Sequence, residues 1–186
     1  MGRGRTLRRG RLRLLRGGRQ REGRLGAVRI VPAAEDRPPF PVDAVAAEED
    51  TYLVLSAEPE VRPSREHPIR LMTALYDAVP EDPGSVVVKA GRPLRLLAVV
   101  HDLNLEPTWR EAWVARALEG ILDECARRRF TAVGLPLLGC VHGQLARERF
   151  VSLLRRALRK APPQTLERLW LMVPPGEEER LGELLR

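Results

Sequence analysis

The chain has 186 residues, 44% of them apolar and 31% charged, with a formal net charge of +7. That length suits one domain able to bury a substantial core, with a short tail attached. Cys125 and Cys140 make no disulfide framework and lack metal-ligand spacing, and no run of 18 apolar residues is present to form a membrane helix. No metal, cofactor or secretory leader is therefore expected, and the expected compartment is the cytoplasm. The charge is uneven. Residues 1–24 hold ten arginines against one acid, Glu22, a net +9 that leaves −2 for the remainder. Any nucleic-acid argument from charge rests on this tail alone.

Residues 1–26 are rich in Arg, Gly and Leu without a sustained period, and are expected to be a disordered tail. Such an arm can bind nucleic acid by releasing phosphate counterions. The other reading is an unselected extension: Lys89 and Lys160 are the only lysines among 32 basic residues, which marks a coding bias towards arginine. The folded domain is expected over residues 27–186. Residues 27–31 alternate like a half-buried strand, and 32–41 form a proline-rich turn. Residues 42–45 and 51–55 read as two more short strands. Between them, Glu48, Glu49 and Asp50 read as a solvated turn, with a magnesium site as the alternative.

The polar stretch 58–67 is expected to be loop. Pro68 then starts a helix that runs to about Val79, with Ile69, Met72, Leu75, Tyr76 and Val79 on its buried face. Residues 85–88 and 94–100 read as strands, the second running into His101. Thr108 and Glu111 have capping-box spacing and start a helix that reaches about Arg129. Its apolar seam is Trp113, Ala117, Ile121 and Cys125, flanked by Val114, Leu118 and Leu122. Phe150, Leu154, Ala157 and Leu158 mark another helix, residues 169–173 a buried strand, and residues 177–185 a closing helix.

Between these helices, the apolar run from Thr131 meets Gly139-Cys-Val-His-Gly143, and that loop opens into the Phe150 helix. A strand, a glycine loop and a helix start leave backbone N–H groups facing outward, so the loop reads either as a phosphate cradle or as a tight turn. Cys140 reads as a small loop residue, or as a nucleophile if His142 reaches it. The alternation of strands and helices after residue 85 predicts an α/β sandwich with a largely parallel sheet. In such sheets ligands bind at the strands' carboxyl ends.

Several of these motifs resemble the macro domain, a family of ADP-ribose-binding α/β/α modules. Residues 83–88 followed by Leu96-Leu-Ala-Val-Val-His101 are similar to paired strands ending in the family's Val-Ile-His-Ala-Val. Gly134-Leu-Pro-Leu-Leu-Gly139 is similar to the strand that enters its Gly-Thr-Gly phosphate loop. Val42-Asp-Ala-Val45 looks like its Val-Asp-Ala-Ile-Val strand, with Asp36 near the adenine contact. The resemblance implies a three-layer α/β/α fold with a mixed, mostly parallel sheet. It also implies a ligand site at Gly139, Cys140, Val141, His142, Gly143 and Asp36.

The chain departs from the family elsewhere. Val141 replaces the motif's second glycine, and neither asparagine of Asn-Ala-Ala-Asn appears near residues 47–50. No glycine lies between Gly26 and Gly84, where the family's ribose loop would be. The expected function is therefore binding of ADP-ribose, or of a smaller nucleotide or phosphate, without catalysis and with no catalytic residue assigned. The alternatives are an ADP-ribosyl hydrolase and a nucleic-acid-associated protein acting through the arm. Residues 46–66 are expected to narrow the pocket, with acids such as Glu58 and Glu60 repelling a diphosphate.

Overall fold

The computed structural model describes residues 23–55 and 79–186. The strands are β1 (Gly23–Leu25), β2 (Val28–Ala34), β3 (Ala44–Asp50), β4 (Val86–Lys89), β5 (Leu94–His101), β6 (Ala132–Pro136) and β7 (Arg168–Val173). The helices are α1 (Glu111–Arg128), α2 (Arg147–Lys160) and α3 (Glu178–Leu184). One seven-stranded sheet has the order β1-β2-β7-β6-β3-β5-β4. Every internal pair is parallel, and the two outer strands, β1 and β4, pair antiparallel. The fold is thus α/β with a mixed, mostly parallel sheet, as the strand–helix alternation predicts.

The sheet buries its two faces differently. One face meets all three of the described helices in a single core that includes Ile30, Leu96, Leu118, Leu135, Phe150 and Leu181. On the other face Ala33, Trp170 and Met172 pack with Phe40, Val42 and Val45. The Trp170 indole N–H donates to the Ala33 carbonyl (3.1 Å), which satisfies the one polar atom that burial would otherwise strand. The helix expected from Pro68 lies outside the described residues, apart from its last position. That position, Val79, is 86% exposed and belongs to no buried face.

Several expectations need correction. The fold begins at Gly23, inside the stretch assigned to the tail: β1 pairs with β2 through a hairpin turned at Gly26, whose φ of +63° favours glycine. Strand β2 continues through Pro32 to Ala34, because β1 pairs only as far as Ile30 and an unpaired edge tolerates proline. The Thr108–Glu111 capping box does not form. The Thr108 hydroxyl faces His101 (3.3 Å) and Glu111 grips Arg149 (2.7 and 2.8 Å), so α1 starts at Glu111 without a side-chain cap. Trp113 is only half-buried, with the Arg110 guanidinium 5.6 Å from its ring, while the other predicted seam residues are buried.

The largest correction concerns the acidic triplet. Glu48, Glu49 and Asp50 end β3, and residues 51–55 form a turn instead of a strand. An irregularity in the ladder pairs Glu49 with Val99 but Asp50 with His101. Both Glu49 and Asp50 thereby enter the interior, fully buried, and Tyr52 and Val54 are left at the surface.

Candidate functional site

The β3–β6 ladder ends after two residue pairs, Ala44 with Val133 and Val45 with Gly134. Beyond it the carboxyl ends of β2, β3, β6 and β7 border a cleft, the place where ligands bind in open parallel sheets. The cleft has two adjoining parts. A polar part of about 430 Å³ is lined by Glu35, Glu48, Leu55, Arg95, Val141 and His142, among others. An apolar part of about 410 Å³ is lined by Pro136, Leu137, Met172, Val173, Pro174 and Pro175. Glu35, Pro136, Val141 and Met172 border both.

The glycine loop forms one wall. Gly139 sits at φ +73°, a conformation that costs any residue with a side chain. Its carbonyl accepts from the Leu145 N–H (3.1 Å), and the Cys140 N–H donates to Leu137 (3.0 Å), which folds the loop tightly back on β6. Gly143 lies against the Gly139 carbonyl and the Trp109 ring, so a side chain there would displace backbone. Its role is close approach, whereas Gly139 supplies the backbone angle. The N–H groups of Val141, His142 and Gly143 have no hydrogen-bond partner among the described residues. Helix α2 follows with Ala146 at its N-cap, which offers no side-chain acceptor.

The innermost amide of the loop is already occupied. The Gly139 N–H donates to Glu48 Oε2 at 3.0 Å. The other oxygen of Glu48 hydrogen-bonds His101 Nε2, in a pair whose side chains are 7% and 3% exposed. His101 Nδ1 faces the Thr108 hydroxyl, so both ring nitrogens have partners. The facing turn repeats the arrangement. Asp50 accepts from the N–H groups of Tyr52 (2.7 Å) and Val54 (3.1 Å), and Glu49 accepts from Leu55 (3.1 Å). Three successive carboxylates at the end of β3 thus hold four backbone amides, and of these residues Glu48 and Leu55 line the cleft. A buried carboxylate persists only with such donors.

The predicted site residues separate under this geometry. Gly139, Val141, His142 and Gly143 are on the cleft wall or directly support it. Burial, then the nearby Glu48 charge, pushes the Cys140 thiol up to about 12, which favours the protonated thiol at neutral pH. Burial does the same to Cys125, also about 12, which fits its place in the core. Asp36 is not brought to the cleft: its side chain is 72% exposed and lies 3.8 Å from Arg37. Glu35, one residue earlier, lines the cleft in its place.

The chemistry-bearing residue missed by sequence reasoning is Glu48. Its signal was positional, because the family's polar Asn-Ala-Ala-Asn segment falls just where β3 ends. At the opposite end of β3, Asp43 accepts from the N–H groups of Thr131 (2.7 Å) and Ala132 (3.0 Å) and sets the register with β6. Among the described residues no group of three or more His, Cys, Asp or Glu is placed to hold a metal ion, and no helix is long and apolar enough to cross a membrane.

No protein-family model matches the chain, and no curated protein matches it by sequence. Solved structures do match. A macrodomain of Oceanobacillus iheyensis, solved with MES bound, aligns over 88% of this chain and 93% of its own, with a TM-score of 0.62 and 8% identity. The macro domain of ganglioside induced differentiation associated protein 2 covers 84% of this chain and 82% of its own, with a TM-score of 0.57 and 15% identity. The macrodomain of Thermus aquaticus DarG covers 79% and 99%, with a TM-score of 0.56 and 17% identity. The Oceanobacillus macrodomain was also solved with ADP, and a mutant of it with ADPR. At such identities the likeness lies in the path of the backbone and not in the side chains: this chain has the macrodomain fold.

Proposed function

We propose that the protein is a macro-like binding module whose ligand is a small nucleotide, with a base in the apolar part of the cleft and a phosphate at its outer rim, bound without turnover. The carrying observation is the adjacency of the two parts: a proline- and methionine-lined slot meets a glycine loop whose Val141, His142 and Gly143 amides are open. Apolar walls suit the faces of a base, and Glu35 at the junction can accept from its N–H groups. The open amides, with the uncapped start of α2 behind them, suit one phosphate. Catalysis is disfavoured because the Cys140 thiol is protonated and the family's asparagines are absent.

Calorimetry on the full chain tests this reading. AMP is expected to bind at least as tightly as ADP-ribose. Folded protein that gives no heat with either at millimolar ligand refutes it, and so does ADP-ribose binding much tighter than AMP.

One feature favours hydrolysis of an ADP-ribose linkage as a second reading. Glu48 borders the cleft, and a carboxylate at that place is the kind of group that can orient or deprotonate a water once its hydrogen bonds to Gly139 or His101 loosen. Turnover of a mono-ADP-ribosylated protein above a buffer blank would establish it. Nucleic-acid binding by the arginine arm is a separate proposal, on residues 1–22 outside the described part. It predicts affinity that falls steeply with salt and disappears when residues 1–22 are deleted.

A further inference from the structure

We infer that Glu48 determines the specificity of the cleft by acting as its internal anion, holding the Gly139 amide and rejecting ligands that bring a diphosphate there. The inference deepens the ligand reading above and rests on it for the nucleotide, but its central claim concerns an amide and a carboxylate that can be tested without one. Gly139 begins the loop and is buried, and its N–H lies behind Glu48, which lines the cleft. Glu48 Oε2 sits 3.0 Å from that nitrogen, at charge-assisted hydrogen-bond distance, and so fills the position an external anion oxygen would take.

The carboxylate is held firmly in place. Its second oxygen bonds His101, which is itself fixed by β5 and by Thr108, and the pair is almost fully buried. An incoming phosphate would have to break both bonds or approach a fixed negative charge in a poorly solvated wall. Leu55, which also lines the cleft, has its amide held by Glu49, so it offers no alternative donor. What remains open is the outer stretch from Val141 to Gly143. The ligand class is therefore phosphate-poor: a nucleoside, or a nucleotide with one phosphate at the rim.

The test follows the Gly139 amide by ¹H–¹⁵N NMR in the full chain during titration with inorganic pyrophosphate. It compares the natural protein with Glu48→Ala and Glu48→Gln. In the natural protein the Gly139 resonance is expected to stay still. In Glu48→Ala it should move and saturate, with pyrophosphate bound on the order of tenfold more tightly. Glu48→Gln keeps an acceptor for the amide but removes the charge, so an intermediate gain is expected. It also serves if the alanine variant fails to fold. A Gly139 resonance that moves with pyrophosphate in the natural protein overturns the inference, as does one that stays still in every folded variant. Failure of the nucleotide reading is distinct: AMP would then leave the resonances of Met172 and Val173 unmoved whatever Gly139 does.

Discussion

Asp50 offers the sharpest test of the turn that follows β3. It is fully buried and accepts two backbone hydrogen bonds, from Tyr52 at 2.7 Å and Val54 at 3.1 Å, which fold residues 51–55 into a turn. Hydrogen bonds to a charged group contribute about 1.5–3 kcal/mol each, so loss of both sets an upper limit of about 3–6 kcal/mol. Two effects reduce this. Tyr52 and Val54 are 43% and 53% exposed, so their freed N–H groups can reach water, and Asp50→Ala also releases the cost of burying a carboxylate. The net expectation is a loss of about 2–3 kcal/mol, or about 4–12 °C in Tm for a domain of this size. Asp50→Asn should lose nearly as much, because its amide group turns N–H donors towards the Val54 or Tyr52 N–H. Thermal unfolding followed by circular dichroism reads both. A Tm for Asp50→Ala within about 1 °C of the natural protein would refute this account of the turn.

Gly139→Ala should cost about 2 kcal/mol, from the left-handed backbone and a new Cβ at 3.0 Å from Val114, and equilibrium urea unfolding measures it. Gly143→Ala should perturb the loop more, since its Cβ meets the Gly139 backbone; a smaller loss than at Gly139 would contradict the packing. Cys140, with its thiol at about 12, should react with iodoacetamide at pH 8 at least about 100-fold more slowly in native than in denatured protein, as followed by intact mass. For Asp43, burial raises the carboxyl pKa, but the donors of Ala132 and Thr131 outweigh it and leave it below the ordinary 3.8. A depressed folded pKa contributes stability above the unfolded value, lost as pH falls through the folded one. Asp43→Asn should therefore cost about 1 kcal/mol near neutrality, a figure kept small because the group is exposed, and progressively less in acid titrations of unfolding as pH falls through the depressed folded pKa.

The carboxyl half was largely legible from the amino-acid order. From residue 85 on, apolar runs and helical stripes are long and separated by proline or glycine, so β4 to α3 emerge close to their predicted bounds. The amino half misled at the points where contact partners decide. Residues 51–55, with Tyr, Leu, Val and Leu, have strand composition, yet the preceding carboxylates capture their amides and turn them out of the sheet. Thr108 and Glu111 have helix-cap spacing, yet His101 and Arg149, distant in sequence or on another element, claim both side chains. Of the candidate site, the glycine loop was visible and its occupant was not.

The sequence by itself determined the alternation of strands and helices, the apolar stripes that become the core, and the position of a glycine loop between β6 and α2. These are local properties: hydrophobic period, backbone angle at glycine, and punctuation by proline act within a few residues. The tertiary structure alone decided which charges are buried and what they hold. Glu48 meets Gly139 across 91 positions and His101 across 53, and no local pattern encodes those meetings. An acidic triplet is solvated by default, because burying a carboxylate is costly in isolation. It becomes interior here because the turn that follows gives Asp50 and Glu49 the amides of Tyr52, Val54 and Leu55, while pairing of β3 with β5 and β6 brings Glu48 the Gly139 amide and the His101 imidazole from distant segments.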